Sequence, residues 1–171
     1  LIDQTGLQRA DADLLGAFVG NESPDLSSIP GIKRDDRIVF EYGTPETAFR
    51  ITVDGSGYKF EIRDKGSIWS LAWFSCLVDA ERYVLVREGE VRNDAPWFDG
   101  KATTPAGVDL IEENSDRELR WHIDGVEHIV RTLSDIEWSL VYRLAWVRAR
   151  SLAEVIEIVS GSSPGKQVGS I

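Results

Sequence analysis

Apolar and polar positions alternate along this chain in blocks, and the period changes from block to block. Leu7, Leu14, Leu15, Phe18 and Val19 form a stripe at helical spacing, and Gly20 supplies a stop. Thr5-Gly6-Leu7-Gln8 has the form of a capping box, so a helix is predicted over about 6–19. Residues 21–36 are polar and rich in Pro, Ser and Gly, as in a loop. Strand signals follow: RIVFEY (37–42), TAFRITV (47–53) and YKFEIR (58–63) are rich in β-branched and aromatic residues. Asp54-Gly55-Ser56-Gly57 reads as the hairpin turn between the last two. SIWSLAWFS (67–75) is almost wholly apolar and is expected to be a central strand buried on both faces. DAERYVLVREG (79–89) reads as a helix with Asp79 as N-cap and Gly89 as stop.

The pattern resumes after residue 100. VDLIEE (108–113), ELRWHI (118–123) and VEHIVRTL (126–133) read as strands, with Asp124-Gly125 as a tight turn. Ser134-Asp135-Ile136-Glu137 has capping-box form, and Ile136, Leu140, Leu144 and Val147 then recur at helical spacing to about Arg150. Ser151-Leu152-Ala153-Glu154 is a second capping box, opening a short helix to about Val159. The expected organisation is a single domain over 1–160 with a flexible tail at 161–171. The expected fold is α+β: a twisted, mostly antiparallel sheet of about six or seven strands, with helices packed against it.

Two stretches look alike. Each carries a VDG or IDG turn, then a strand, then a W-S-L triplet: Trp69-Ser70-Leu71 and Trp138-Ser139-Leu140. A duplicated hairpin unit and a chance likeness both fit. The first triplet falls in a predicted strand and the second in a predicted helix.

Charge narrows the function classes. The 171 residues carry a formal net charge of -10, which repels phosphate backbones and anionic membranes and favours a basic protein partner. No nucleic acid and no membrane are therefore expected as partners. No run approaches the roughly 20 apolar residues of a membrane span. The N-terminus lacks the basic start and apolar stretch of a signal peptide, and the chain contains no Met, so a trimmed or processed form is expected. Cys76 is the sole cysteine, in the apolar context AWFSCLV, and is expected to be a small buried hydrophobe in a cytoplasmic protein.

Catalytic motifs are not evident. VDGSGYKF lacks the Lys-Ser/Thr of a phosphate loop, and no G-x-S-x-G elbow occurs. His122 and His128 are the only histidines, neither lies in a ligand motif, and both read as ordinary strand residues. No metal and no cofactor are expected. The pairs Asp11/Asp13, Asp35/Asp36 and Glu112/Glu113 could in principle serve as acid and base, but neighbours on a strand point to opposite faces.

The aromatics say more. Trp69 and Trp73 are expected in the core, and Trp138 and Trp146 on one packing face of a helix. Trp97 and Phe98 differ, because NDAPWFDG (93–100) is a loop by composition. Either one ring pins the loop to the body or the pair is a recognition surface. In the second reading Trp97 and Phe98 are apolar anchors, and the flanking Asp94 and Asp99 steer a basic partner.

Ala80-Glu81-Arg82-Tyr83, followed by Gly89-Glu90-Val91-Arg92, resembles the E-R-Y-L … G-x-x-R signature of immunity proteins encoded beside bacterial polymorphic toxins. The resemblance covers roughly residues 5 to 100, and Val84 stands where the signature has Leu. Within that class the chain is similar to factors that guard against NAD-hydrolysing toxins. The resemblance implies a cytoplasmic, non-enzymatic antitoxin that binds its cognate toxin one-to-one and blocks the active site. It also implies that the signature residues themselves are structural. Against such a toxin, Lys101 is expected to reach into a cleft that normally holds phosphates. A small-ligand-binding domain with a Trp-lined cavity and a dispersed carboxylate hydrolase are the rival classes.

Overall fold

The computed structural model of the chain describes residues 4–20, 35–89, 104–113, 116–134 and 137–161. It is α+β, as expected: an open, seven-stranded antiparallel sheet with four helices packed against it. In chain order the elements are α1 (Gln4–Val19), β1 (Ile38–Gly43), β2 (Thr47–Asp54), β3 (Gly57–Asp64), β4 (Ser67–Phe74), α2 (Leu77–Glu88), β5 (Asp109–Glu113), β6 (Asp116–Ile123), β7 (Val126–Thr132), α3 (Trp138–Val147) and α4 (Leu152–Ser160). The helix α1 starts at Gln4, so Thr5 lies inside it rather than capping it. The expected tail, from 162 on, and most of the 21–36 loop fall outside the described residues.

The strands lie in the order β1-β2-β3-β4-β7-β6-β5. Two meanders, β1 to β4 and β5 to β7, each end in a helix, and their last strands meet antiparallel at the centre. That seam is short: Ala72, Trp73 and Phe74 pair with Thr132, Arg131 and Val130. Ser75 N–H donates to Ile129 O, and Leu133 N–H to Leu71 O, extending it slightly. The turns repeat the topology. Lys65-Gly66 and Asp124-Gly125 both have two positive φ angles (47° and 88°; 52° and 78°), the type I′ pattern that suits a twisted hairpin. In the β2–β3 turn only Gly55 has positive φ. The topological repeat therefore equates the β3–β4 turn with the β6–β7 turn. The VDG/IDG likeness in sequence is out of phase with it by one strand, and the two W-S-L triplets do fall in a strand and a helix.

All four helices cover one face of the sheet. Ile51, Phe60, Ala72 and Phe74 on one side of the seam, and Leu119, Trp121 and Val130 on the other, are fully or almost fully buried there. The helix α2 packs on β3 and β4 and against all three other helices, so every residue from Asp79 to Val86 is buried. Tyr83 is its hub: its ring lies 5.1 Å from Phe60 and 5.3 Å from Phe74, centroid to centroid. The α4 capping box forms as expected, with Ser151 Oγ accepting from Glu154 N–H and the Glu154 carboxylate accepting from Ser151 N–H at 2.8 Å.

Three expectations fail for tertiary reasons. The strand β4 is not buried on both faces: Ser67, Ile68 and Trp69 at its start are exposed, and a bulge at Leu71 shifts its register, so that Phe60 pairs with Ala72 but Glu61 with Ser70. Trp69, paired with Ile62 near the start of the strand, is 50% exposed. Trp73 points away from the helices and lies half-buried over Gly57 and below the Arg131 guanidinium, 4.9 Å from the ring centre. Neither tryptophan belongs to the core. Secondly, Asp79 is not the N-cap of α2; Cys76 is, and Asp79 sits buried in the first turn. Thirdly, the Ser134 box does not cap α3. The side chain of Glu137 turns inward, where it accepts from the Tyr83 hydroxyl and from Arg87 at 2.6 and 2.8 Å. A buried guanidinium beside Phe49 and Phe60 needs that carboxylate more than an exposed helix end does.

Candidate functional site

The expected contact residues Asp94, Trp97, Phe98, Asp99 and Lys101 lie outside the described residues, which stop at Gly89 and resume at Thr104. Both flanks are pinned to the helical layer. A Cβ on Gly89 would strike Val159 of α4 and the Leu85 carbonyl, so only glycine lets α2 end so close to α4. On the other side Arg148, just past α3, donates to the Ala106 carbonyl at 2.8 Å. The stems of the segment that carries Trp97 and Phe98 are thus held by α4 and the end of α3.

The signature residues on α2 lie inside the protein. The Arg82 guanidinium donates to Asp79 Oδ1 at 2.9 Å and to the Arg150 carbonyl at 2.7 Å, joining α2 to the α3–α4 turn. Tyr83 joins the sheet to Glu137. Glu81, only 5% exposed, lies near Asp11 of α1. Burial, with the Asp11 charge added to it, pushes the Glu81 carboxyl up to about 7 against the opposing pull of Arg82. A folded-state pKa above the unfolded value means that the folded chain binds the extra proton. Stability from this group is therefore full below the unfolded value of 4.5 and is lost as pH rises through about 7. Glu81→Gln is expected to match the wild type in stability near pH 4.5 and to exceed it by on the order of 1–3 kcal/mol above pH 7. Urea unfolding at several pH values checks this; parallel pH profiles for the two proteins would contradict it.

The chemistry that the sequence does not reveal is at the start of α2. Asp79, fully buried, places Oδ2 2.6 Å from Nδ1 of His128, whose ring stacks on Trp121 with centroids 6.0 Å apart. Cys76 stands beside them, and the donor atoms of Cys76, Asp79 and His128 lie within 4.8 Å of one another. Both earlier readings change accordingly. His128 is a buried partner of Asp79 rather than an ordinary strand residue, and Cys76 is half-buried with a histidine at hand. The Cys76-x-x-Asp79 spacing is visible in the sequence; His128, 49 residues from Asp79, joins it only through the β4–β7 seam. Burial pushes the Cys76 thiol up, away from the thiolate that nucleophilic chemistry needs. Asp79 and His128 are closed to a substrate. The three groups could instead hold a metal ion.

The helix-free face of the sheet is polar and internally paired. Glu61 accepts from Arg50 at 3.0 Å and from Ser70 at 3.3 Å, and Glu118 accepts from Arg120 and Arg131. Against the upward push of burial, those two guanidiniums hold the Glu118 carboxyl below its usual range. Three of the described tryptophans lie apart: Trp121 is buried under the helices, Trp73 lies on the opposite face, and Trp138 stacks edge-on to Tyr142 in α3. No described helix is long and apolar enough to cross a membrane. No protein-family model, curated protein or solved structure matches the chain.

Proposed function

We propose that the chain is an antitoxin of the immunity-protein class. It binds a cognate secreted toxin domain one-to-one in the cytoplasm of the producing cell and covers the toxin's active site. The toxin is an NAD glycohydrolase, and the inhibitor itself turns nothing over. The observation that carries this reading is the role of Glu81-Arg82-Tyr83. In the class it resembles these residues are structural, and here they are the buried hub that joins α2 to the sheet, α3 and the α3–α4 turn. A net charge of -10 supports a basic partner.

In this reading Trp97 and Phe98 are the apolar anchors of the contact, Asp94 and Asp99 meet basic groups of the toxin, and Lys101 enters its phosphate-binding cleft. The test is complex formation with the toxin domain encoded beside the chain, followed by size-exclusion chromatography and calorimetry. A one-to-one complex is expected, and no complex at micromolar concentrations would contradict the reading. Trp97→Ala and Phe98→Ala are each expected to weaken binding by ≥ about 2 kcal/mol while the circular dichroism stays unchanged. Unaltered affinity in both variants would remove the loop from the interface.

A further inference from the structure

We propose that Cys76, Asp79 and His128 form a binding site for one zinc-class divalent cation. The site is independent of the antitoxin reading. Its donors are a sulfur, a carboxylate oxygen and an imidazole nitrogen, the mixed borderline set that zinc prefers. They lie within 4.8 Å of one another in the metal-free protein. Ligand atoms around a tetrahedral zinc stand roughly 3.3–3.8 Å apart, so the site needs only small side-chain shifts to close on an ion.

The Asp79–His128 contact shows where the ion goes. Oδ2 and Nδ1 are 2.6 Å apart across a shared hydrogen. Inserting a metal at that point opens the pair by less than about 1 Å and gives each atom a bond of about 2 Å. The ring proton leaves to solvent, and the Cys76 thiol gives up its own proton to ligate as thiolate. The second oxygen of Asp79 is already committed: Arg82 donates to Oδ1 at 2.9 Å and is itself held by the Arg150 carbonyl at 2.7 Å. Arg82 therefore fixes the carboxylate's orientation and leaves Oδ2 for the ion, the outer-shell arrangement common at zinc sites. Trp121 fixes the imidazole plane by stacking on it. Asp79 is fully buried and His128 nearly so, whereas Cys76 is half-buried. The fourth position of the ion thus opens on the Cys76 side, to water or an added ligand.

The site has a place in the architecture. Cys76 and Asp79 follow the first meander and His128 belongs to the second. Between the meanders the strands pair over three residues only. An ion there ties the N-terminus of α2 to β7 across the shortest pairing in the sheet, so it raises the melting temperature as well as binding.

The full chain, stripped with EDTA, is titrated with Co²⁺ under anaerobic conditions and then with Zn²⁺. The expected result is one Co²⁺ per chain, with tetrahedral d–d bands and a thiolate-to-cobalt charge-transfer band that Zn²⁺ abolishes. Cys76 is the sole cysteine, so that band has one source. Cys76→Ser keeps the helix cap, since serine is a preferred N-cap residue, and its folding is confirmed by circular dichroism. It is expected to lose the band, to bind Zn²⁺ at least about tenfold more weakly, and to lose the zinc-dependent rise in melting temperature. Absence of the thiolate band in the wild type, or a zinc affinity unchanged in Cys76→Ser, means an adventitious ion only and overturns the proposal.

Discussion

Replacing Asp79 by alanine is expected to lower the stability by about 3–5 kcal/mol, enough to unfold much of the population in a domain of ordinary stability. Asp79 is fully buried and serves two partners, Arg82 and His128. Arg82 is 8% exposed, so without the carboxylate its charge is left in the interior with one backbone carbonyl for company. Truncating one member of a buried ion pair costs far more than the pair's net worth, because the survivor stays desolvated. Asp79→Asn keeps the shape and one acceptor for Arg82, so it is expected to cost less than alanine. Urea unfolding in EDTA measures both variants without any contribution from bound metal. Equal stability of wild type and Asp79→Ala would show that the cluster is not the anchor of α2.

Tyr83→Ala is expected to cost a similar amount, about 3–5 kcal/mol, for a different reason. The ring is fully buried between Phe60 and Phe74, and its removal leaves a cavity where α2 crosses the sheet. Tyr83→Phe separates the ring from the hydroxyl. It keeps the packing and removes one hydrogen bond to Glu137, which retains Arg87, so about 1–3 kcal/mol is expected. Denaturation midpoints of the two variants give the split. A Tyr83→Phe as damaging as Tyr83→Ala would put the hydroxyl, not the ring, at the centre of the fold.

Local signals in the sequence carried the strands and, among the helix starts, that of α4. The Asp-Gly and Ser-Gly turns and the alternation in RIVFEY, TAFRITV and YKFEIR correspond to β1–β3, and Ser151-x-x-Glu154 to the start of α4. What they could not carry were choices made by distant residues. Asp79 resembles an N-cap until His128 and Arg82 claim its carboxylate. Glu137 resembles the last residue of a capping box until Arg87 and Tyr83 claim it. An apolar run such as SIWSLAWFS cannot announce where the helices stop covering it, and Trp69 and Trp73 both fall outside the core. The same logic hid the cluster of Cys76, Asp79 and His128: two of the groups are three residues apart, and the third arrives through sheet pairing. Residues 93–100 lie outside the described residues, and their proposed place on a partner surface rests on their aromatic and acidic content.

The most direct test of the central claim is a titration of the toxin's NAD hydrolysis with the purified chain. The account predicts that activity falls linearly and reaches zero at one equivalent, as for a tight stoichiometric inhibitor. Hydrolysis that continues unchanged in a large excess of the chain would contradict it.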